Sequence, residues 1–317
     1  MIGISNWKIF IFFLTILILP SVSSELVPSA EGKVEKYLLL PYNFPWKIYD
    51  LEPPWYSAMA QGKALPILIY AYQLTGLDKY KDTADGILNS FFIDVTQGGI
   101  TYKSNNSGWW YELYAGTGSK QPKVLNGMLF TLVALDEYYR ATNDSKAKFL
   151  FDQGILSLEN NLPLFDANGF SYYDLLQTPN KFEYHIIHID LLNKLYNTTG
   201  ESLFKFYADR WSKYNTTQVI RQAPANIQLD ASFIPFVDYG IIDGINIGIQ
   251  RNPVTVDHIA ADYYGKFKLH GDDFSKRAFL NNIDWLVNNP IEVKVNNSHI
   301  PSKISEKIEK NLEVKNG

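Results

Sequence analysis

The 317-residue sequence contains no cysteine, which excludes disulfides, zinc–thiolate centres and thiol catalysis. Basic charge is also scarce: 29 Lys and Arg against 33 Asp and Glu leave a net charge of −4, so no cationic footprint points to nucleic acid. Long apolar runs are absent except one, Ile9 to Leu19, interrupted by Thr15. That run falls short of the roughly 20 residues a spanning helix needs. Lys8 precedes it, Pro20 breaks it, and Val22 and Ser24 supply small residues before a cleavage point, so Met1 to Ser24 reads as a signal peptide. The alternative is an uncleaved anchor over Trp7 to Val22, the one circumstance in which a membrane is a partner. Sequons at Asn105, Asn143, Asn197, Asn215 and Asn296 fit an exported protein, either extracellular or in the secretory lumen. There is no Ser-His-Asp elbow, phosphate loop or dinucleotide fingerprint. Aromatic residues, by contrast, are plentiful, with 21 Tyr and 7 Trp. Such an excess suits either a packed core or a sugar-stacking cleft, and composition alone does not choose.

The body of the chain repeats a plan of apolar helix, short polar turn and second helix. The turns fall at Thr75-Gly76, Thr142-Asn143-Asp144, Thr199-Gly200-Glu201 and Gly271-Asp272-Asp273. Apolar spacings of i, i+3, i+4 and i+7 give each helix one stripe to bury. A lone hairpin cannot cover its stripe, so neighbours must stack. Long inserts between the hairpins favour a ring over an open superhelix. The predicted fold is therefore mainly α, an α/α toroid of about four hairpins with rim inserts and a small strand-like element over Val219 to Val254. It occupies residues 25–300 as one domain, followed by a Lys/Glu-rich tail over 301–317.

Chemistry-bearing residues gather in the inserts. Pro41 to Tyr56 reads PYNFPWKIYDLEPPWY, and Trp109 to Tyr114 reads WWYELY. In the latter, Glu112 lies beside Tyr111 and Tyr114, either as a site or as a solvated acid in a packed loop. Tyr173-Asp174 is a candidate site or a capped turn. Tyr184-His185-x-x-His188 puts two imidazoles on one helix face, but a metal needs a third ligand and none is arranged, so cleft lining or structure is the choice.

In order along the chain, LEPPWYSAMAQGKA (Leu51 to Ala64), WYELY (Trp110 to Tyr114), VLNGM (Val124 to Met128), LPLFD (Leu162 to Asp166), YYDL (Tyr172 to Leu175) and YHIIHI (Tyr184 to Ile189) resemble one known domain. It is the C-terminal α/α-toroid domain of D-glucuronyl C5-epimerase, which inverts glucuronate within heparin-like glycans; the likeness runs over about residues 42–214. The resemblance implies that Tyr114, Tyr173 and Tyr184 are catalytic tyrosines, with Glu112 beside them. Ile247 to Val287 resembles the hairpin that precedes LEPPWYSAMAQG in that family. Its place at the end implies a circular permutation in which residues 247–290 close the ring, so Ile283–Lys294 should pack near Lys36–Trp46.

Epimerisation at C5 removes a proton alpha to a carboxylate and returns one on the opposite face, through a doubly charged enolate. Tyr114 and Tyr184 are assigned as facing acid and base, and Tyr173 as enolate stabiliser. Trp55, Trp110 and Tyr111 are expected to stack on sugar rings, Gln61 and Asn126 to bind hydroxyls, and His185 and His188 to line the cleft. No metal and no cofactor are expected; the partner is a uronate-containing polysaccharide or glycan, and a homodimer is compatible with this. Two departures from animal members stand out. Leu176 occupies the place of a carboxylate-gripping Arg, and Leu113 that of a second acid. Lys181, Arg221 or Arg251 would then have to grip the carboxylate. A uronate lyase, a toroid glycosidase with Glu112 or Asp174 as acid, and a non-catalytic glycan-binding protein are the alternatives.

Overall fold

All four expected helical hairpins are present. The structure, a computed structural model, describes residues 35–214 and 227–293. The expected leader over residues 1–24, the sequons Asn215 and Asn296, Arg221 and the tail over 301–317 lie outside the described residues. The helices are α1 (Ala58–Thr75), α2 (Asp78–Ser90), α3 (Leu125–Thr142), α4 (Ser145–Asn161), α5 (Phe182–Thr199), α6 (Ser202–Ser212), α7 (Pro253–His270) and α8 (Asp273–Asn288).

The turns repeat because their chemistry repeats. The first helix of each pair ends on a left-handed residue, Gly76, Asn143, Gly200 or Gly271, with φ of 70, 55, 77 and 69°. Its N–H reaches back to the last turn, as from Asn143 to the Tyr139 carbonyl at 2.7 Å. Glycine and asparagine adopt this conformation at least strain, and the reversal hands the chain to the second helix. Asp144 and Asp272 then cap α4 and α8, accepting from Ala147 N–H at 3.0 Å and Ser275 N–H at 2.8 Å.

Side by side, the first helices of the hairpins pack in the spatial order α7, α1, α3, α5, each backed by its partner, and α2 also meets α8. This is the α/α toroid, with its seam between α5 and α7, where no comparable packing occurs among the described residues. The shared core includes Leu65, Leu68, Leu129, Leu132, Leu192, Phe204, Phe279 and Ile283, all fully buried. None of the described helices is long and apolar enough to cross a membrane.

Short strands line the rim. Before α1 come β1 (Leu38–Leu39), β2 (Pro41–Tyr42) and β3 (Trp55–Tyr56), the last two paired. β4 (Thr101–Lys103) pairs with β5 (Trp109–Tyr111), and β6 (Asp166–Ala167) with β7 (Phe170–Ser171). The strand-like stretch resolves into β8 (Ile227–Leu229), β9 (Pro235–Asp238), the hairpin β10 (Ile241–Ile242) with β11 (Ile245–Asn246), and β12 (Ile249–Gln250). Finally, β13 (Ile291–Glu292) pairs antiparallel with β1, Leu38 opposite Glu292. The Val293 N–H donates to the Tyr37 carbonyl at 2.8 Å. The adjacency expected between the fourth hairpin and the segment before α1 is thus present, as far as Val293; Lys294 lies outside the described residues.

Candidate active site

Three segments far apart in sequence bring Tyr114, Tyr173 and Tyr184 together on one end of the toroid. The Tyr114 and Tyr173 hydroxyls lie 3.4 Å apart, and the Tyr173 and Tyr184 rings have centroids 5.3 Å apart at 56°. All three are partly exposed, so the cluster faces solvent and is not sealed packing. Tyr114 follows β5 on the outgoing loop, Tyr173 follows β7, and Tyr184 sits in the first turn of α5. Behind Tyr114 stands an aromatic wall: Tyr49 stacks on it at 4.6 Å, Trp46 lies parallel at 6.3 Å, and Trp55 leans on it at 5.7 Å. Tyr239 and Ile242, from the loop and hairpin after β9, pack on the same cluster.

Two buried carboxyls hold the tyrosine loops. Asp174 accepts from the Tyr49 hydroxyl at 2.6 Å, from Thr178 N–H at 3.0 Å and from Thr178 Oγ1 at 2.8 Å, which closes the turn that carries Tyr173. Glu112 accepts the Lys123 N–H at 3.2 Å. It thereby supports a loop with φ of 48° at Gln121 and 52° at Lys123, a left-handed conformation that side chains rarely adopt. That loop in turn grips the Tyr173 backbone: Leu125 N–H donates to the Tyr173 carbonyl at 3.0 Å, and Leu175 N–H to the Pro122 carbonyl at 2.9 Å. Glu112 therefore acts on Tyr173 through the backbone. Fully buried, its carboxyl is pushed up to about 8 by burial, partly offset by the Lys123 N–H and ammonium.

Electrostatics separate the tyrosines. Burial raises all three phenols. For Tyr114 the rise, to about 12, is opposed by the hydrogen bond with Tyr173, whereas Tyr173 is pushed far higher, by burial first and then by Tyr114. Tyr114 is thus the stronger acid of the pair, and either hydroxyl can donate across their contact.

Several expected contacts are corrected by the structure. Trp110 and Tyr111 are 0% exposed, and the Tyr111 hydroxyl donates to the Leu150 carbonyl at 2.5 Å. They are core residues because β5 turns them inward against α4, and they offer no face to a sugar. Gln61, also sealed, pairs with both backbone groups of Leu40, at 3.1 and 3.3 Å. Trp55 donates its indole N–H to the Phe44 carbonyl at 2.7 Å and stacks on Tyr42 at 4.0 Å, so it backs the site from behind. Glu112 makes no hydrogen bond to the tyrosines and is removed from solvent. His185 receives the Ser171 N–H at 3.1 Å and bonds the Trp211 carbonyl at 3.2 Å. His188 bonds Ser171 Oγ at 2.8 Å, and burial pushes it down to about 3. The two imidazoles brace β7 against α5 and α6, away from any ligand. Arg251 is likewise engaged, by Asp230 at 2.5 Å and the Ile234 and Pro235 carbonyls at 2.6 and 2.8 Å. Lys181 is exposed. Asn126 stays a candidate: it is buried, its Oδ1 has no hydrogen-bond partner, and it adjoins Leu125 at the start of α3. Among the described residues, no group of three metal-ligating side chains occurs.

Trp46, Tyr49, Tyr239 and Asn252 belong to the site but carry no motif. Asn252 bridges Tyr42 and Tyr239, accepting from the Tyr42 hydroxyl at 3.1 Å and donating to the Tyr239 hydroxyl at 2.6 Å. The density of aromatics in Pro41 to Tyr56 was the one signal for Trp46 and Tyr49; Tyr239 and Asn252 lie outside that stretch. A surface hollow of about 540 Å³ between Gly169, Phe206, Arg210 and Tyr214 includes none of the three tyrosines.

Residues 34–213 match the family described as D-glucuronyl C5-epimerase C-terminus. The chain is 31% identical over 204 residues to an uncharacterised protein of Methanocaldococcus jannaschii, covering 63% of this chain and 65% of that one. It is 30% identical over 208 residues to D-glucuronyl C5-epimerase of Caenorhabditis elegans, covering 59% of this chain and 31% of that one. The match thus spans under two thirds of each relative. A solved cellobiose 2-epimerase from Spirochaeta thermophila overlaps 80% of this chain and 77% of its own, at 13% identity and a TM-score of 0.39.

Proposed function

Because the chain belongs to the D-glucuronyl C5-epimerase C-terminus family, we propose that it is a carbohydrate epimerase that inverts C5 of D-glucuronate residues within a glycan. The observation that carries this reading is the meeting of Tyr114 and Tyr173 hydroxyls at 3.4 Å with the Tyr184 ring beside them, all partly open to solvent. Two proton carriers and one neutral donor are what a proton exchange across a sugar ring requires. Tyr114 suits the base, since it is the stronger acid of the pair and so forms its phenolate more readily. Tyr184 suits the acid on the far face. Tyr173, held neutral by burial, suits hydrogen-bond donation to the enolate. With a phenol near 12, forming the Tyr114 phenolate at neutral pH costs about 7 kcal/mol, taking about 1.4 kcal/mol per pH unit. Substrate binding must supply part of that. The leader-like segment over residues 1–24 would deliver the enzyme to the exported glycan.

The glycosidase alternative loses its acids, because Glu112 and Asp174 are both sealed within the protein. The deciding experiment incubates the protein with a glucuronate-containing polysaccharide in deuterated water and follows C5 by NMR. Deuterium at C5 with an intact chain supports the reading. Unsaturated ends absorbing in the ultraviolet would replace it with a lyase, and binding without exchange would leave a glycan-binding protein.

A further inference from the structure

The aromatic cluster has a floor. Two of the toroid's inner helices each place one residue against the cluster and another about one turn deeper on the same face. On α1 these are Met59 and Lys63, and on α7 they are Val254 with Asp257 and His258. From α3, Phe130 packs its ring on the cluster that holds Tyr114 and Tyr173. The Lys63 ammonium lies 5.2 Å from the centroid of that same ring. Among the described residues it has no hydrogen bond and no ion pair.

Asp257 is 1% exposed and neither of its carboxyl oxygens has a hydrogen-bond partner. It is close enough to Lys63 for the two charges to interact, yet too far for an ion pair. The same carboxyl also acts on the buried Tyr42 hydroxyl, which feels Tyr114 and Tyr239 as well, so the floor and the tyrosines share one electrostatic space. The other charges that reach Lys63 come from Glu137 and Lys194, which neutralise each other in an ion pair at 2.7 Å. His258, one residue on from Asp257, is pushed down to about 3 by burial and by the Lys63 charge, so it adds no charge of its own. A half-buried ammonium resting on an aromatic face, beside a buried carboxyl with empty valences, is a site shaped for a planar anion.

We propose that Lys63, with Asp257, forms the carboxylate-binding site of the cleft and takes the carboxylate of a uronate residue lying against the tyrosines. The ammonium donates to one carboxylate oxygen. In its protonated form, which burial favours, Asp257 keeps its proton and donates the O–H as a hydrogen bond to the other carboxylate oxygen. The inference rests on the function proposed above for its substrate class, but its test does not depend on turnover.

The experiment measures, by calorimetry, the affinity of the full-length protein for a D-glucuronate-containing oligosaccharide and for the same oligosaccharide with its carboxyls reduced to alcohols. The native protein should prefer the acid roughly 10- to 100-fold, the range of a charge-assisted hydrogen bond. Lys63→Met should abolish the preference and Lys63→Arg should keep most of it. A footprint on the native protein guards against a variant that does not fold: acylation of Lys63, read by mass spectrometry, should be slowed by the acid oligosaccharide and not by the reduced one. Equal binding of both sugars by the native protein, binding of neither, or a preference that survives Lys63→Met would overturn the assignment. Loss of C5 exchange with the acid preference intact would sink the epimerase reading and leave this site standing; exchange without the preference would do the reverse.

Discussion

Tyr184 and His185 are neighbours on one helix, yet they belong to two different kinds of polar cluster. His185, His188, Ser171 and Asn180 form a network beneath β7 in which most polar atoms are paired and the imidazoles stay neutral. Tyr114, Tyr173 and Tyr184 form another, partly open, joined by a single long hydroxyl contact and bordered by the unpartnered oxygens of Glu183. Full pairing in a dry interior fixes a shape. Incomplete pairing at a solvent-facing surface leaves valences for something else. One residue step along α5 separates the brace from the candidate chemistry.

That contrast can be broken or sharpened by experiment. The largest effect is expected from Tyr173→Phe or Tyr114→Phe, which should lower C5 exchange roughly 100- to 10,000-fold while shifting thermal stability little. Unchanged exchange in both would move the chemistry elsewhere. Next, kcat/KM should rise about tenfold per pH unit from pH ~7 upward, because the reactive form of Tyr114 is the phenolate and its pKa is about 12. A flat profile would mean another base. On the structural side, Ser171→Ala should destabilise by about 1–3 kcal/mol, since it strips a partner from both imidazoles, while exchange per folded molecule stays near normal. The same network predicts acid sensitivity. The fold is fully stabilised above 6.5, and stability drains as pH falls towards 3, because unfolded His188 takes a proton that the buried ring refuses. Denaturant titrations in that window, with His188→Gln as the flatter comparison, measure the slope. The smallest effect is expected from Glu112→Gln, which keeps the Lys123 N–H acceptor. At pH 4.5 and below, stability should change by under about 1 kcal/mol; exchange should persist, and the weakening of the native protein as pH rises from 4.5 towards 8 should disappear, which leaves the variant the more stable of the two near neutrality.

The hairpins were legible because their signals are local. Gly76, Asn143, Gly200 and Gly271 announce a left-handed stop within a few residues of each apolar stripe. The tyrosines were found through motif resemblance, and their meeting depends on how β5, β7 and α5 are placed, which no spacing encodes. Trp110 and Tyr111 were misplaced for the opposite reason. WWYELY gives each aromatic the same local appearance, but β5 is covered on both faces, Trp110 stacking on Phe165 and Tyr111 packing on Phe91, while Tyr114 lies beyond the strand at the edge. Lys63 was hidden in a different way. Inside AMAQGKALP it looks like any helix-surface lysine, and only the approach of α3 and α7 turns that surface into a lined floor.

The pairing of β1 with β13 has a consequence for biosynthesis. The strand that emerges from the ribosome early must wait with an unsatisfied edge until nearly the whole domain has been synthesised, and α8 closes over α2 in the same late event. The gain is modularity: the α7–α8 pair packs on α1 and α2 and leaves a seam towards α5, so the same packing can be encoded before α1 or after α6.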